Sequence, residues 1–169
     1  GYIRGTTNFG YVYLREKKEM VELLGYSDSD MAGDVDDRKS TSGMAYFLGG
    51  SIVSWLSQKQ KVVALSSREA EYIADATAVC QGMCLGRLLG DLTGKEPKRV
   101  MLNINDESTI SLWKNPMHHG RCKHADTRYR YVRECVEESK IDINYVCIND
   151  QLADILTRSL GRQKFVKMR

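Results

Sequence analysis

The stretch GMAYFLGGSIVSWLSQKQKVVALSSREAEYIA (43–74) decides the fold, because it holds two strand-like runs, a turn and the start of a long helix, in that order. GMAYFL and SIVSW are apolar runs separated by Gly49 and Gly50. Two residues able to take positive φ between such runs predict a β-hairpin. The polar SQKQK follows, then VVAL, which reads as a continuation of the second arm. Ser66-x-x-Glu69 fits a capping box, in which a hydroxyl and a carboxylate satisfy the free amides of a helix start. Ile73, Thr77, Cys80, Cys84 and Leu88 then recur at helical spacing up to a stop at Gly94. Cys80 and Cys84 are expected in the core as small apolar residues.

Upstream, YVYLRE and MVELLGYS read as short strands joined by a charged turn at Lys17, Lys18 and Glu19. Downstream, RVMLNI is a strand, and a short helix runs from Glu107 to Lys114, ahead of Pro116. Asp126 is placed to cap a second amphipathic helix carrying Tyr129, Val132 and Val136 on one face. IDINYVC alternates Ile141, Ile143, Tyr145 and Cys147 at period two, and Asp150 is placed to cap a last helix, QLADILTRSL. An antiparallel start followed by strand–helix crossovers predicts an α/β fold, a mixed sheet with helices on both faces.

At 169 residues the chain suits one domain, and 42% hydrophobic content is enough to build its core without staples. No apolar stretch approaches the ~20 residues that span a bilayer. The opening GYIRGTTNFG lacks the charged and apolar regions of a secretory signal and has no initiator Met, so it reads as part of something longer. Five cysteines, an odd number without regular spacing, fit a reducing compartment. A net charge of +3 permits nucleic-acid binding without arguing for it.

The acids are more informative. Asp28, Asp30, Asp34, Asp36 and Asp37 crowd GYSDSDMAGDVDDRK, but an EF-hand loop is excluded. Its fifth ligand would be Ala32, and its bidentate glutamate would be Lys39. Asp34, Asp36 and Asp37 read equally well as a solvated turn. Asp28 differs, because it ends an apolar central strand where a bare carboxylate is costly. Glu69 and Glu71 open the long helix, Asp106 closes the RVMLNI strand, and Asp154 lies in the first turns of the last helix. Carboxylates at strand ends and helix starts can converge at one edge of an α/β sheet, and convergence of three or four calls for hard divalent ions.

These residues carry a resemblance. GYSDSDMAGDVDDRKSTSG (25–43), FLGGSIVSW (47–55), KQKVVALSSREAEYIA (59–74), HGRCKHADTRYRYVRE (119–134) and QLADILTRSLGRQKF (151–165) are similar, in this order, to the RNase H domain of copia-type LTR-retrotransposon polyproteins. The resemblance implies an RNase H-like five-stranded mixed sheet over residues 25–169. Residues 1–24 would form the connection from a reverse-transcriptase region. It implies hydrolysis of the RNA strand of RNA/DNA hybrids with two Mg2+ ions, for which Mn2+ substitutes. The partners would be the hybrid and the adjacent reverse transcriptase, with no membrane. The setting would be intracellular, in a cytoplasmic retrotransposon particle or the nucleus.

Carried over residue by residue, Asp28, Glu71 and Asp154 correspond to metal ligands and Glu69 to a cap. Where the family usually reads C-D-N-Q-S-A-I, this chain reads INDESTI (104–110). Asn105 therefore stands at the catalytic Asp position, and Asp106 falls one residue late. A one-residue shift turns a side chain to the opposite face, and Asp106 is also placed to N-cap the next helix. Asp106 as substitute ligand needs a bulged strand end. With a neutral amide at 105, weakened or absent activity is expected, and the alternative is an inactive binding or structural module.

Met31 and Cys84 stand where the family usually has Trp, and Arg130 where it has His. Gly82, Gly86 and Gly90 recur every four residues, readable as a close helix contact or as degeneration. His118, His119, Cys122 and His124 fit no closed zinc motif. Arg121, Lys123, His124 and Lys59 are the expected contacts to nucleic acid.

Overall fold

A computed structural model describes residues 22–95, 99–114 and 126–168, together with Gly10 and Tyr13. The hairpin forms as the glycines require. Strand β1 (Leu23–Ser29) pairs antiparallel with β2 (Thr41–Leu48), and β2 with β3 (Ser51–Lys59). Gly49 and Gly50 take φ of 57° and 81° in the two-residue turn between β2 and β3. Strands β4 (Val100–Ile104) and β5 (Ile141–Tyr145) extend the sheet in parallel, giving the order β3-β2-β1-β4-β5. The central strand is therefore β1, which ends at Asp28 and Ser29.

Helices α1 (Ser67–Thr93), α2 (Glu107–Lys114) and α3 (Asp126–Glu137) pack on one another and on one face of the sheet. A 3-10 helix (Leu152–Leu156) lies against β1 and β2, with Ser57 Oγ donating to Leu156 O at 2.6 Å. It is followed by the short α4 (Arg162–Met168). The two faces are read from β1, where Ser27 faces Asp75 of α1 while the next residue, Asp28, meets Thr157 just after the 3-10 helix. The core lies on the α1 face and joins Tyr46, Val79, Leu102, Ile104, Trp113, Val132 and Ile143. Tyr72 stacks on Trp113 with ring centroids 4.4 Å apart. Each such large side chain contributes roughly 1.5–3 kcal/mol by leaving water. No described helix is long and apolar enough to cross a membrane.

Several expectations are corrected. VVAL is not strand, and Val62, Val63 and Leu65 are exposed. The strand ends at Lys59, and the next residue, Gln60, is buried and makes the last in-register bond to the neighbouring chain segment. Its N–H donates to Ser40 O at 2.7 Å, and its side-chain amide donates to Ser42 Oγ and Ala70 O, both at 2.9 Å. The capping box does form: Glu69 N–H donates to Ser66 Oγ at 3.2 Å, and the Glu69 carboxylate takes the Leu65 N–H at 2.7 Å. Gly94 ends α1 in the left-handed conformation.

The buried face of α1 is not the expected one. It runs through Tyr72, Asp75, Val79, Gly82 and Gly86, leaving Cys80 half-buried and Cys84 and Leu88 exposed. A Cβ at Gly82 would sit 2.9 Å from Tyr46 Cζ, and Tyr46 donates its hydroxyl proton to Ala78 O at 2.7 Å. At Gly82 the glycine is thus a close helix–sheet contact. Cys84, being at the surface, removes nothing from the core.

The last segment also differs. Gln151 rather than Asp150 caps a 3-10 helix, and α4 is a separate element. The strand at 141 ends at Tyr145, which is exposed, as is Cys147. α3 begins at Asp126 and buries Val132. YVYLRE and the side chains of Asp126 and Tyr129 lie outside the described residues.

Candidate metal and nucleic-acid site

Four elements bring polar side chains to one end of the sheet: the end of β1, the start of α1, the bend after β4 and the 3-10 helix. Asp28 is 1% exposed on the central strand. Its Oδ2 accepts the Thr157 hydroxyl proton, while Oδ1 is buried without a hydrogen-bond partner among the described residues. Burial pushes the Asp28 carboxyl above the usual range, and the charge on Asp154 adds to that. Thr157, Arg158 and Lys164 pull the other way.

Glu71, in the second turn of α1, is half-buried, and its pKa is pushed up to about 9. Burial is the main cause, followed by repulsion from Asp28 and Asp75, against the Ser29 hydroxyl. Asp75 lies one turn further along α1 at 1% exposure, and its pKa rises to about 7. Burial dominates there too, opposed by donors on Ser27 and Trp113. Asp75 is a site-adjacent residue that the sequence reading missed. A polar residue inside the apolar face of α1 was the available signal, but it was hidden by the wrong choice of face.

Asn105 sits in the bend after β4, half-buried, with Oδ1 unpartnered among the described residues. Asp106 is taken up as a cap. Its Oδ1 accepts the Ser108 N–H at 2.8 Å and the Ser108 hydroxyl at 2.5 Å, and its Oδ2 accepts the Thr109 hydroxyl at 2.8 Å. Burial raises its pKa, but these donors outweigh burial and hold it below the usual carboxylate range. With both oxygens engaged, Asp106 offers no free oxygen in place of residue 105. Glu71, Asn105, Asp106, Ser66, Ser67 and Arg68 line a cavity of about 530 Å³, across which Arg68 Nε donates to Ser108 Oγ at 3.1 Å.

Asp154 is fully buried, and both of its oxygens are paired, Oδ1 with Arg158 Nε and Oδ2 with Lys164 Nζ of α4. It is placed by Gln151, a second residue the sequence reading missed. Fully buried, Gln151 donates to Ser27 O at 2.8 Å and to Asn103 O at 3.5 Å, and accepts the Ala153 N–H at 3.2 Å. One amide thus ties the 3-10 helix to the ends of β1 and β4.

Lys59 is exposed and pairs with the acidic turn. Its Nζ pairs with Asp34 and lies 3.3 Å from Asp37 Oδ2. Asp34, in turn, accepts the N–H groups of Asp36 and Asp37, at 2.9 and 3.2 Å. Arg121, Lys123 and His124, with His118, His119 and Cys122, lie outside the described residues.

Among the described residues no three His, Cys, Asp or Glu side chains form a ready metal cage. The donor chemistry nevertheless fits a hard cation at one place. Asp28 and Glu71 repel each other, and Asp28 Oδ1 and Asn105 Oδ1 are buried oxygens with no donor among the described residues. Asp154 does not fit in the same way, since two side-chain cations already hold it.

The chain is 40% identical over 97% of its length to a retrovirus-related Pol polyprotein from transposon TNT 1-94 of Nicotiana tabacum, and covers 12% of it. It is 37% identical, again over 97%, to the corresponding polyprotein from transposon RE1 of Arabidopsis thaliana, and covers 11% of that. The chain therefore spans about a tenth of the length of these relatives. No protein-family model matches it. Among solved structures, the N-terminal RNase H domain of a Mycobacterium tuberculosis protein superposes with a TM-score of 0.60 at 10% identity. That match covers 89% of this chain and all of the other. An RNase H1 solved in complex with an RNA/DNA hybrid gives 0.57 at 12% identity, covering 80% and 94%. These likenesses show the RNase H fold.

Proposed function

Given that the chain belongs to the retrovirus-related Pol polyproteins of copia-type transposons and has the RNase H fold, we propose that it is a ribonuclease H segment that hydrolyses the RNA strand of RNA/DNA hybrids during reverse transcription. The observation that carries this reading is the mutually repelling pair of carboxylates, buried Asp28 and half-buried Glu71. One Asp28 oxygen, and Oδ1 of Asn105 in the bend after β4, are without a hydrogen-bond partner among the described residues. Asp28, Glu71 and the Asn105 carbonyl would hold a divalent cation, Mg2+ or Mn2+. A cation held there would supply Lewis-acid activation of a water and positive charge for the departing oxygen of a phosphodiester.

The chain's own contribution is placement. Thr157 fixes one Asp28 oxygen and leaves the other free, and Gln151 holds the 3-10 helix beside β1. Arg68 and the hydroxyls of Ser66, Ser67 and Ser108 line the adjoining cavity, where they are placed to meet the nucleic-acid backbone. Arg121, Lys123 and His124 would add contacts from their own segment. The partners in this reading are the hybrid and the reverse-transcriptase region. Residues 1–24 would be the connection and 25–169 the nuclease, in an intracellular particle or nucleus.

A second reading, a non-cleaving module that binds nucleic acid, is favoured by two observations. Asn105 brings one negative charge fewer than an acid, and Asp154 is already neutralised. The test is cleavage of a labelled hybrid with Mg2+ or Mn2+ by the parent, Asp28→Asn and Asn105→Asp proteins. Parental cleavage that falls at least ~100-fold in Asp28→Asn is the expected result. Cleavage only in Asn105→Asp establishes a folded but disabled site. If neither cuts and salt-sensitive hybrid binding persists, the second reading holds.

A further inference from the structure

The two halves of the carboxylate cluster are not equivalent, and the difference bears on how many metal ions the site can take. On one side, Asp28 Oδ1 and Asn105 Oδ1 are buried oxygens with no donor among the described residues, and Glu71 feels the Asp28 charge and lines one cavity with Asn105. On the other, Asp154 is as deeply buried but carries two formal positive charges on its two oxygens. Arg158 reaches it from one turn downstream and Lys164 from α4, so the contact joins two elements and does not arise from a single flexible arm. A divalent ion on Asp154 would have to displace at least one of these donors and then sit beside the other cation, a repulsive arrangement in a buried setting. The missing acid at 105 acts in the same direction. Three carboxylates, Asp28, Glu71 and Asp154, already face four positive charges from one divalent ion, Arg158 and Lys164, and a second ion would raise the excess from one charge to three.

Resting on the metal-dependent reading above, we infer that the site takes a single divalent ion at Asp28, Glu71 and Asn105, and that Arg158 and Lys164 stand in for a second ion on Asp154. The guanidinium and ammonium supply fixed positive charge at that side of the site. In this chain α4 is therefore part of the site, because it carries Lys164.

The number of Mn2+ ions bound per chain, counted from the free-ion electron paramagnetic resonance signal during titration with Mn2+ alone, tests this directly. The parent protein is expected to bind one ion and the Arg158→Gln/Lys164→Gln double variant two. The Arg162→Gln control, which removes one positive charge from α4 without touching Asp154, should keep one, with affinity changed by less than about threefold. Two ions on the parent, one on the double variant, or two on the control each overturn the inference. A parent that binds no ion, or that binds one unaffected by Asp28→Asn, overturns the metal-dependent reading itself. Should the double variant fail to fold, hydrogen exchange of the parent decides. Protection of the α4 amides is expected to be unchanged at saturating Mn2+, and its loss would show that the ion displaces Lys164 and would sink the inference.

Discussion

Two groups of acids in this molecule share a composition and differ in every physical respect. The turn at Asp34, Asp36 and Asp37 is exposed and solves its electrostatics locally. Backbone amides of the turn donate to Asp34, and Lys59 lies across it. The Lys59 ammonium and these amides pull the Asp34 carboxyl down to about 2. The group at Asp28, Glu71 and Asp75 is withdrawn from water and only partly compensated, and Glu71 and Asp75 are pushed up to about 9 and about 7. Only carboxylates left uncompensated by the fold have any use for an added cation. Acidic density in a sequence therefore says little, and the partners each acid finds decide.

The largest way to break the contrast is to unseat the element that completes the buried group. Gln151→Ala removes three hydrogen bonds at once, two of them buried, and should cost about 2–3 kcal/mol in urea denaturation, while loosening the 3-10 helix from β1. The next effect is on pH. Glu71 and Asp75 have folded pKa values above their ordinary ones, so between about pH 4 and pH 9 the folded state holds more protons than the unfolded. Metal-free stability must then fall as pH rises across that window, with a slope of order 1 kcal/mol per pH unit. Urea melts in EDTA at pH 5, 6, 7 and 8 would measure it. A flat profile would mean that the cluster is more solvated than its burial indicates.

Asp75→Asn should reduce that slope by roughly half between pH 5 and 7, because it removes one of the two displaced titrations. The smallest effect belongs to the turn and has the opposite sign. Asp34 contributes stability that is present above its ordinary pKa and is lost as pH falls towards about 2. Asp34→Asn should therefore leave the neutral-pH melting temperature nearly unchanged and flatten only the acid limb, below about pH 4.

Much of this was legible before any coordinates. The Gly49–Gly50 turn, the Ser66 capping box, the Gly94 stop and the Glu107–Lys114 helix are local devices, each written in a few adjacent residues, and all appear where expected. Asp106 as a cap was legible for the same reason. The face of α1 was not, because small residues set it: Gly82 and Gly86 lie under Tyr46 and Val100, and glycine carries no apolar signal. Gln151 and Asp75 were not legible either. Each acts through partners many residues away, such as Ser27 and Trp113.

By itself, then, the sequence determined the β2–β3 hairpin, the Ser66 and Asp106 caps, the kinship with copia-type polyproteins and the neutral residue at 105. These are properties of short windows and of single positions. Tertiary structure alone decided which acids are left without partners. Asp34 meets Lys59, Asp106 meets its own helix, Asp154 meets Arg158 and Lys164, and Asp28 Oδ1 meets no donor among the described residues. A carboxylate's pKa and its use for a cation depend on burial and on charges brought close by folding, and sequence spacing does not encode either.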